Sequence, residues 1–260
     1  MGHNETPARN AFPWKEFLGF LGVVLAAYIG YLGVHSQIVI PIQATQTAEA
    51  RLTKGVSEDT VIIFQDMFDN TEGSYDPNFW YCEQECNIES LFLKNGVLNL
   101  HRDSGGYTSL FSAKKWVTDS VVSLSGDMLI SNDSKYSTGW LHLEGSAGCD
   151  INAQFDNPEP YIQCYFGEYD DEAGRHEYDT EQQPISYDTW HNIMVRFDKH
   201  SNQFSFYLDG QNIGEFTSPY ESIVTPVGIG IWVEDAEHVT DGFQARGRVL
   251  IDNVVLRVEK

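Results

Sequence analysis

Apolar and polar residues alternate through much of the C-terminal two thirds of the chain. In residues 190–197, Ile193, Val195 and Phe197 share one side, and in residues 203–208, Phe204, Phe206 and Leu208 do the same. A side-chain period of two belongs to a strand with one face buried and one face wet. Asp198-Lys199-His200-Ser201-Asn202 between the runs has turn composition, and Asp209-Gly210 opens a second tight turn into residues 212–216. Together they predict a three-stranded meander. The same pattern predicts strands at 61–64, 96–101, 120–130, 139–144, 227–234 and 248–258. Residues 149–155 and 161–166 flank Asp156-Asn157-Pro158-Glu159-Pro160, a dense turn signal. They read as a hairpin with Cys149 opposite Cys164, both on the inner face with Ile151, Phe155, Ile162 and Phe166. No long amphipathic helix and no internal repeat interrupts the series. The fold class is all-β, a sandwich or jelly roll over residues 60–260.

A different pattern occupies the N-terminus. Residues 17–48 hold no Asp, Glu, Lys or Arg. Residues 17–42 supply the roughly 20 apolar positions that a membrane-spanning helix needs, with Trp14 at one end and Tyr28 and Tyr31 nearer the other, at interfacial levels. A cleaved signal peptide has an apolar region of about 7–15 residues, followed closely by a small-residue cleavage site. Here the run is longer, and the nearest such site, Ala48-Glu49-Ala50, lies well downstream. A retained single-pass transmembrane helix at 17–42 is therefore favoured, after a short cytoplasmic tail at 1–16 and before a polar linker at 43–59. Gly22, Ala26 and Gly30 form one stripe of that helix, a spacing that lets another backbone approach. Its expected partner is another transmembrane subunit or a second copy.

Charge changes the picture of the partners. The 260 residues carry a formal net charge of −22, and four Lys/Arg and three Asp/Glu precede Val56, so that 12 basic and 35 acidic residues fall beyond it. Such a surface repels phosphate backbones, so nucleic acid is not an expected partner. Hydrophobic residues at 42% and aromatics at 13% supply a core. The four cysteines are Cys82, Cys86, Cys149 and Cys164. The 82–86 pair has no neighbouring His or second Cys pair to complete a zinc set. The even count and the hairpin symmetry favour disulfides 82–86 and 149–164, with reduced core cysteines as the alternative. Arg9 and Lys15 before the helix balance Arg51 and Lys54 after it. The disulfides decide the orientation: N-terminus inside, sandwich extracytoplasmic. Asn132-Asp133-Ser134 is a glycosylation sequon.

In chain order, Phe64-Gln65-Asp66-Met67-Phe68-Asp69, Asn78-Phe79-Trp80, Asn95-Gly96-Val97-Leu98-Asn99-Leu100, Trp190-His191 with its meander through Leu208-Asp209-Gly210, and Ile251-Asp252-Asn253-Val254-Val255-Leu256 form an ordered set. The set resembles the concanavalin A-like lectin/glucanase superfamily, in the style of its laminin G-like and family 16 glycosidase-like branches, over residues 60–258. The resemblance implies a two-sheet antiparallel jelly-roll sandwich with first and last strands as neighbours, and a concave face that binds glycans in many members and hydrolyses them in some. It also implies a structural calcium in some relatives where those strands meet, with Asp252 and, more loosely, Asp66 as ligands. Calcium takes about six to eight oxygens, many of them backbone carbonyls.

Family 16-like hydrolases carry a strand with Glu-x-Asp-x-Glu or Glu-x-Asp-x-x-Glu, which points nucleophile, helper and acid/base one way. Glu168-Tyr169-Asp170-Asp171-Glu172 matches the short form. Asp171 stands where an apolar residue would anchor the strand, and Ala173-Gly174-Arg175 follows as a turn would. Glu168, Asp170 and Glu172 are thus weak catalytic candidates. A binding surface is better supported. The leucines of Trp140-Leu141-His142-Leu143-Glu144 take the core side, which leaves Trp140, His142 and Glu144 together on the other. Asn152, Gln154, Gln163 and Tyr165 point away from the cysteine side of the hairpin, and Trp232 alternates with Ile231 and Val233. Aromatic faces beside amides and carboxylates suit sugars. Three functions follow: a non-catalytic glycan-binding domain at the cell surface, an accessory subunit of a larger membrane complex, or a family 16-type glycoside hydrolase.

Overall fold

The computed structural model describes residues 60–69, 72–73, 75–84, 91–102, 106–116, 121–134, 137–143, 147–153, 159–167, 178–218, 228–235 and 247–259. The expected membrane helix at 17–42, its tail at 1–16, the linker at 43–59 and the Gly22/Ala26/Gly30 stripe lie outside them. Among the described residues no helix is long and apolar enough to cross a membrane.

Strands, numbered in chain order, form two antiparallel sheets. The nine-stranded sheet runs β15 (Gln211–Thr217), β14 (Gln203–Leu208), β13 (His191–Asp198), β7 (Val122–Ile130), β17 (Gly247–Glu259), β5 (Val97–Arg102), β4 (Leu91–Lys94) and β2 (Glu72–Gly73), with β1 (Thr60–Asp66) also on β17. The eight-stranded sheet runs β11 (Tyr178–Asp179), β10 (Tyr161–Phe166), β9 (Ala147–Ala153), β8 (Ser137–Leu143), β16 (Ile229–Asp235), β6 (Gly106–Ser112) and β3 (Trp80–Gln84), with β12 (Gln183–Pro184) also on β10.

The period-two reading holds residue by residue in the meander. Ile193 faces Leu208, Val195 faces Phe206 and Phe197 faces Phe204 across β13 and β14, and all but the half-buried Leu208 are buried. Asp209 and Gly210 close the next hairpin, β14–β15, with φ of 50° and 79°, as a two-residue turn matched to strand twist requires. Asn95 and Gly96, at 57° and 72°, do the same between β4 and β5. The first and last strands are neighbours, as the resemblance implied: β1 pairs with β17 from Thr60↔Glu259 to Asp66↔Val254.

Both sheets turn their apolar side chains inward. Ile151, Leu141 and Ile231 from one meet a layer that includes Val249, Ile251 and Leu124 from the other, all within one core. Gly139 marks the close approach of β8 to β17, since a Cβ there would lie 2.7 Å from the Val249 side chain. At one end an aromatic group closes the core. The rings of Phe64 and Trp80 meet edge-on at 5.3 Å, and the Trp80 indole donates to Asp66 Oδ2 at 2.6 Å.

The predicted hairpin is β9–β10, with Cys149 and Cys164 directly paired in register and bridged. Cys82 is also disulfide-bonded, while its expected partner Cys86 lies outside the described residues. Of the sequon, Asn132 is exposed, but Ser134 is buried, with its hydroxyl donating to the Arg248 carbonyl. The 149–164 bridge closes a loop of 15 residues in sequence separation, a length for which a disulfide contributes about 3 kcal/mol. Cys149→Ala/Cys164→Ala is expected to lower the unfolding free energy from urea titration by about 3 kcal/mol, and an unchanged free energy would assign the hairpin's stability to its hydrogen bonds alone.

Candidate functional site

The outer face of the eight-stranded sheet can be read as rows, because strand register fixes which side chains stand side by side. The first row runs Tyr165, Gly148, His142, Gly230, Phe111, Tyr81 across β10, β9, β8, β16, β6 and β3. The second runs Gln163, Asp150, Trp140, Trp232, Ser109. The third runs Tyr161, Asn152, Thr138, with Glu234 at the next register position.

Rings dominate the centre. Trp140 and Trp232 lie 5.0 Å apart at 43°, Trp232 and Phe111 lie 6.4 Å apart, and Phe111 stacks on Tyr81 at 5.7 Å and 25°. This belt crosses four adjacent strands, about 15 Å at the usual strand spacing. Trp140, Trp232 and Phe111 are half-buried and Tyr81 is 43% exposed, so each keeps surface that a ligand can cover.

His142 shares the face, but it is only 7% exposed. Its ring packs edge-on against Trp232 at 4.2 Å and leans over Gly230, where any Cβ would collide with it. Gly148 on its other flank likewise leaves room for its Cβ. Burial pushes its pKa down to about 3, and Nε2 has no hydrogen-bond partner. His142 is therefore a neutral wedge packed against Trp232.

Polar groups gather beside the belt. Asp150 stands between Trp140 and Gln163 in register. Asn152 donates to Asp150 Oδ2 at 3.0 Å and accepts from Thr138 Oγ1 at 2.6 Å. The Gln163 amide donates to the Thr180 carbonyl at 2.9 Å. The Tyr161 and Tyr165 hydroxyls titrate above the ordinary tyrosine range, first because they are buried and then because the Asp150 carboxylate is near. Both therefore remain phenols and hydrogen-bond donors. Of the residues expected to bind, Trp140, His142, Asn152, Gln163, Tyr165 and Trp232 share this face. Glu144 and Gln154 lie outside the described residues. Phe111, Tyr81, Tyr161 and Asp150 complete the face and were not singled out from sequence. The strand alternation at Asp150 was the signal available for it.

The catalytic candidates Glu168, Asp170 and Glu172 also lie outside the described residues. On β9 the outward alternate positions are Gly148, Asp150 and Asn152, which repeat the Glu-x-Asp-x-Glu spacing with a carboxylate only in the middle. Glycoside hydrolysis by two carboxyl groups requires a pair, about 5–5.5 Å apart for retention and wider for inversion.

The two candidate calcium ligands hold local hydrogen bonds. Asp66 accepts from the Phe68 N–H at 2.8 Å with Oδ1 and from Trp80 with Oδ2, and Asp252 Oδ1 accepts from the Asn253 N–H at 2.7 Å. Among the described residues no three His, Cys, Asp or Glu are grouped to hold a metal ion.

No family model and no curated protein sequence matches the chain. Solved structures do. A protein from work on the endo-acting O-glycanases that prominent members of the human gut microbiota express to initiate mucin breakdown aligns with a TM-score of 0.61 and 14% identity, over 77% of this chain and 100% of its own. A non-specific endo-β-1,3(4)-glucanase of family GH16 aligns with a TM-score of 0.61 and 12% identity, over 79% and 94%. An alginate lyase, solved as a double mutant with alginate trisaccharide, aligns with a TM-score of 0.52 and 12% identity, over 78% and 99%. At these identities the likeness is one of fold, and one fold serves different chemistries.

Proposed function

We propose, with a concanavalin A-like jelly roll as the premise, that the outer face of the eight-stranded sheet binds a glycan chain and does not cleave it. The observation that carries this reading is the aromatic belt from Trp140 through Trp232 and Phe111 to Tyr81, with Asp150 and amide groups beside it. Pyranose rings present C–H faces that pack on indoles and phenols, and their hydroxyls pair with carboxylates, amides and phenols. The lone outward carboxylate of β9 supports binding without hydrolysis, because the chemistry of two carboxyl groups is not assembled there. The 17–42 segment is proposed to hold the domain at a membrane, with the sandwich on the extracytoplasmic side. The disulfides support an oxidising compartment.

The test is a glycan array probed with the purified domain, with each bound glycan then incubated and assayed for new reducing ends. Binding without new ends is the expected result. Release of new ends that is lost in Glu168→Gln/Glu172→Gln would establish the hydrolase instead. Absence of binding across the array would remove the glycan reading and favour an accessory subunit in a membrane complex.

A further inference from the structure

The two sheets differ sharply in the charges their strands carry. The strands of the nine-stranded sheet mix both signs: Lys94, Arg196, Arg248 and Arg257 lie among Asp66, Asp127, Asp198, Glu215, Asp252 and Glu259. The described strands of the eight-stranded sheet contain no Lys or Arg, against Glu83, Asp150 and Asp179. The one histidine in that sheet, His142, is buried and neutral. Asp150 sits at the middle of the face, in register with Trp140. The strands that carry the ring belt thus supply carboxylates and no Lys or Arg, with Asp150 in register beside Trp140.

We propose that this face discriminates among glycans by charge: it takes uncharged and amine-bearing sugars and rejects uronates and sulfated sugars, with Asp150 as the residue that sets the preference. The proposal rests on the glycan-binding reading above and adds the class of sugar. An anionic sugar seated on Trp140 would bring its carboxylate or sulfate beside the carboxylate of Asp150. Recognition of such groups ordinarily uses the fork of an arginine or the point charge of a lysine, and none is present in these strands. Like charges brought together at a partly desolvated site are a device of rejection. The acidic surface of the whole chain, at −22, works in the same direction at longer range. The two effects separate experimentally, because salt screens the distant charges and acts less on the close pair.

The experiment titrates the domain with cello-oligosaccharide, chitosan oligosaccharide and alginate oligosaccharide of equal length, at low salt and at about 0.15 M, where the Debye length is about 8 Å. These probes are spread by charge, and the array above supplies the uncharged sugar if the cello series is not the one bound. The expected result is an alginate affinity at least tenfold below the uncharged one at both salts. Asp150→Asn is expected to narrow that ratio at least threefold at about 0.15 M salt. Alginate bound as tightly as the uncharged chain overturns the proposal and leaves glycan binding intact. An unchanged ratio in Asp150→Asn overturns the assignment to that residue. No binding to the probes or to the array overturns the glycan reading and this preference with it.

Discussion

Trp140→Ala/Trp232→Ala is expected to abolish measurable glycan binding while the domain stays folded. The two indoles are register partners, their rings 5.0 Å apart, and they stand on the central strands β8 and β16 of the face, where a ligand would exclude most water. Anchors of this kind typically contribute about 2 kcal/mol each. Their joint loss, on the order of 4 kcal/mol, is about a thousandfold in affinity. Folding should be spared, because both are half-buried and point away from the inter-sheet core. Titration calorimetry measures the affinity and circular dichroism the fold. Phe79→Ala, at an exposed ring outside the face, is the control that should bind as the parent does. Affinity within threefold of the parent for the double variant would mean that the glycan, if bound, sits elsewhere.

The second large effect concerns stability. Asp252 lies in β17 with Asp127, Asp69 and Asp66 near it, and burial together with those carboxylates raises its pKa from 3.8 to about 7, against a lowering hydrogen bond from the Asn253 N–H. A carboxyl that binds its proton more tightly when folded favours the folded state below its unfolded value and opposes it above its folded value. Stability from this group is therefore lost as pH rises from about 4 to about 7, the reverse of the usual aspartate behaviour. At 1.36 kcal/mol per pH unit the whole window is on the order of 4 kcal/mol. Asp252→Asn keeps an acceptor for the Asn253 N–H and removes the charge. In chelator, this variant should unfold at higher denaturant than the parent at pH 8 and at the same denaturant at pH 4. Equal midpoints at pH 8 would show that solvent already screens the cluster. If added calcium raised the midpoint of the parent and not of the variant, the carboxylates would be serving a cation after all.

The architecture was readable wherever a strand buries one face and wets the other. Ile193, Val195 and Phe197 announce β13, and the cysteines of β9 and β10 announce a hairpin whose register the structure reproduces at Cys149↔Cys164. The pattern failed at β6, for a physical reason. Its inward positions are Thr108, Leu110 and Ser112, and its outward ones include Phe111. A sheet that carries rings on its solvent side and hydroxyls on its core side inverts the alternation that identifies a strand. The short β3 gives too few positions for any period to show. For the site, Trp140 and Trp232 stood out because aliphatic residues flank them. Their contact, the wedge at His142 and the place of Asp150 beside Trp140 depend on which strands become neighbours. β8 and β16 are separated by more than 80 residues of chain, a distance over which local patterning carries no register.

The position of β17 has a consequence for how the domain comes into being. This strand, the last of the domain, bonds to β7 along one side and to β5 and β1 along the other. Until residues 247–259 have been synthesised, three earlier strands lack the neighbour that joins them, so the nine-stranded sheet cannot form progressively as the chain emerges. Folding must wait for the closing segment, and pairings between distant parts of a chain are slow to form. Through that interval the unpaired edges of β1, β5 and β7 are open to other chains. A nascent chain stalled or cut before residue 247 would therefore remain a client of chaperones rather than a shorter version of the same domain.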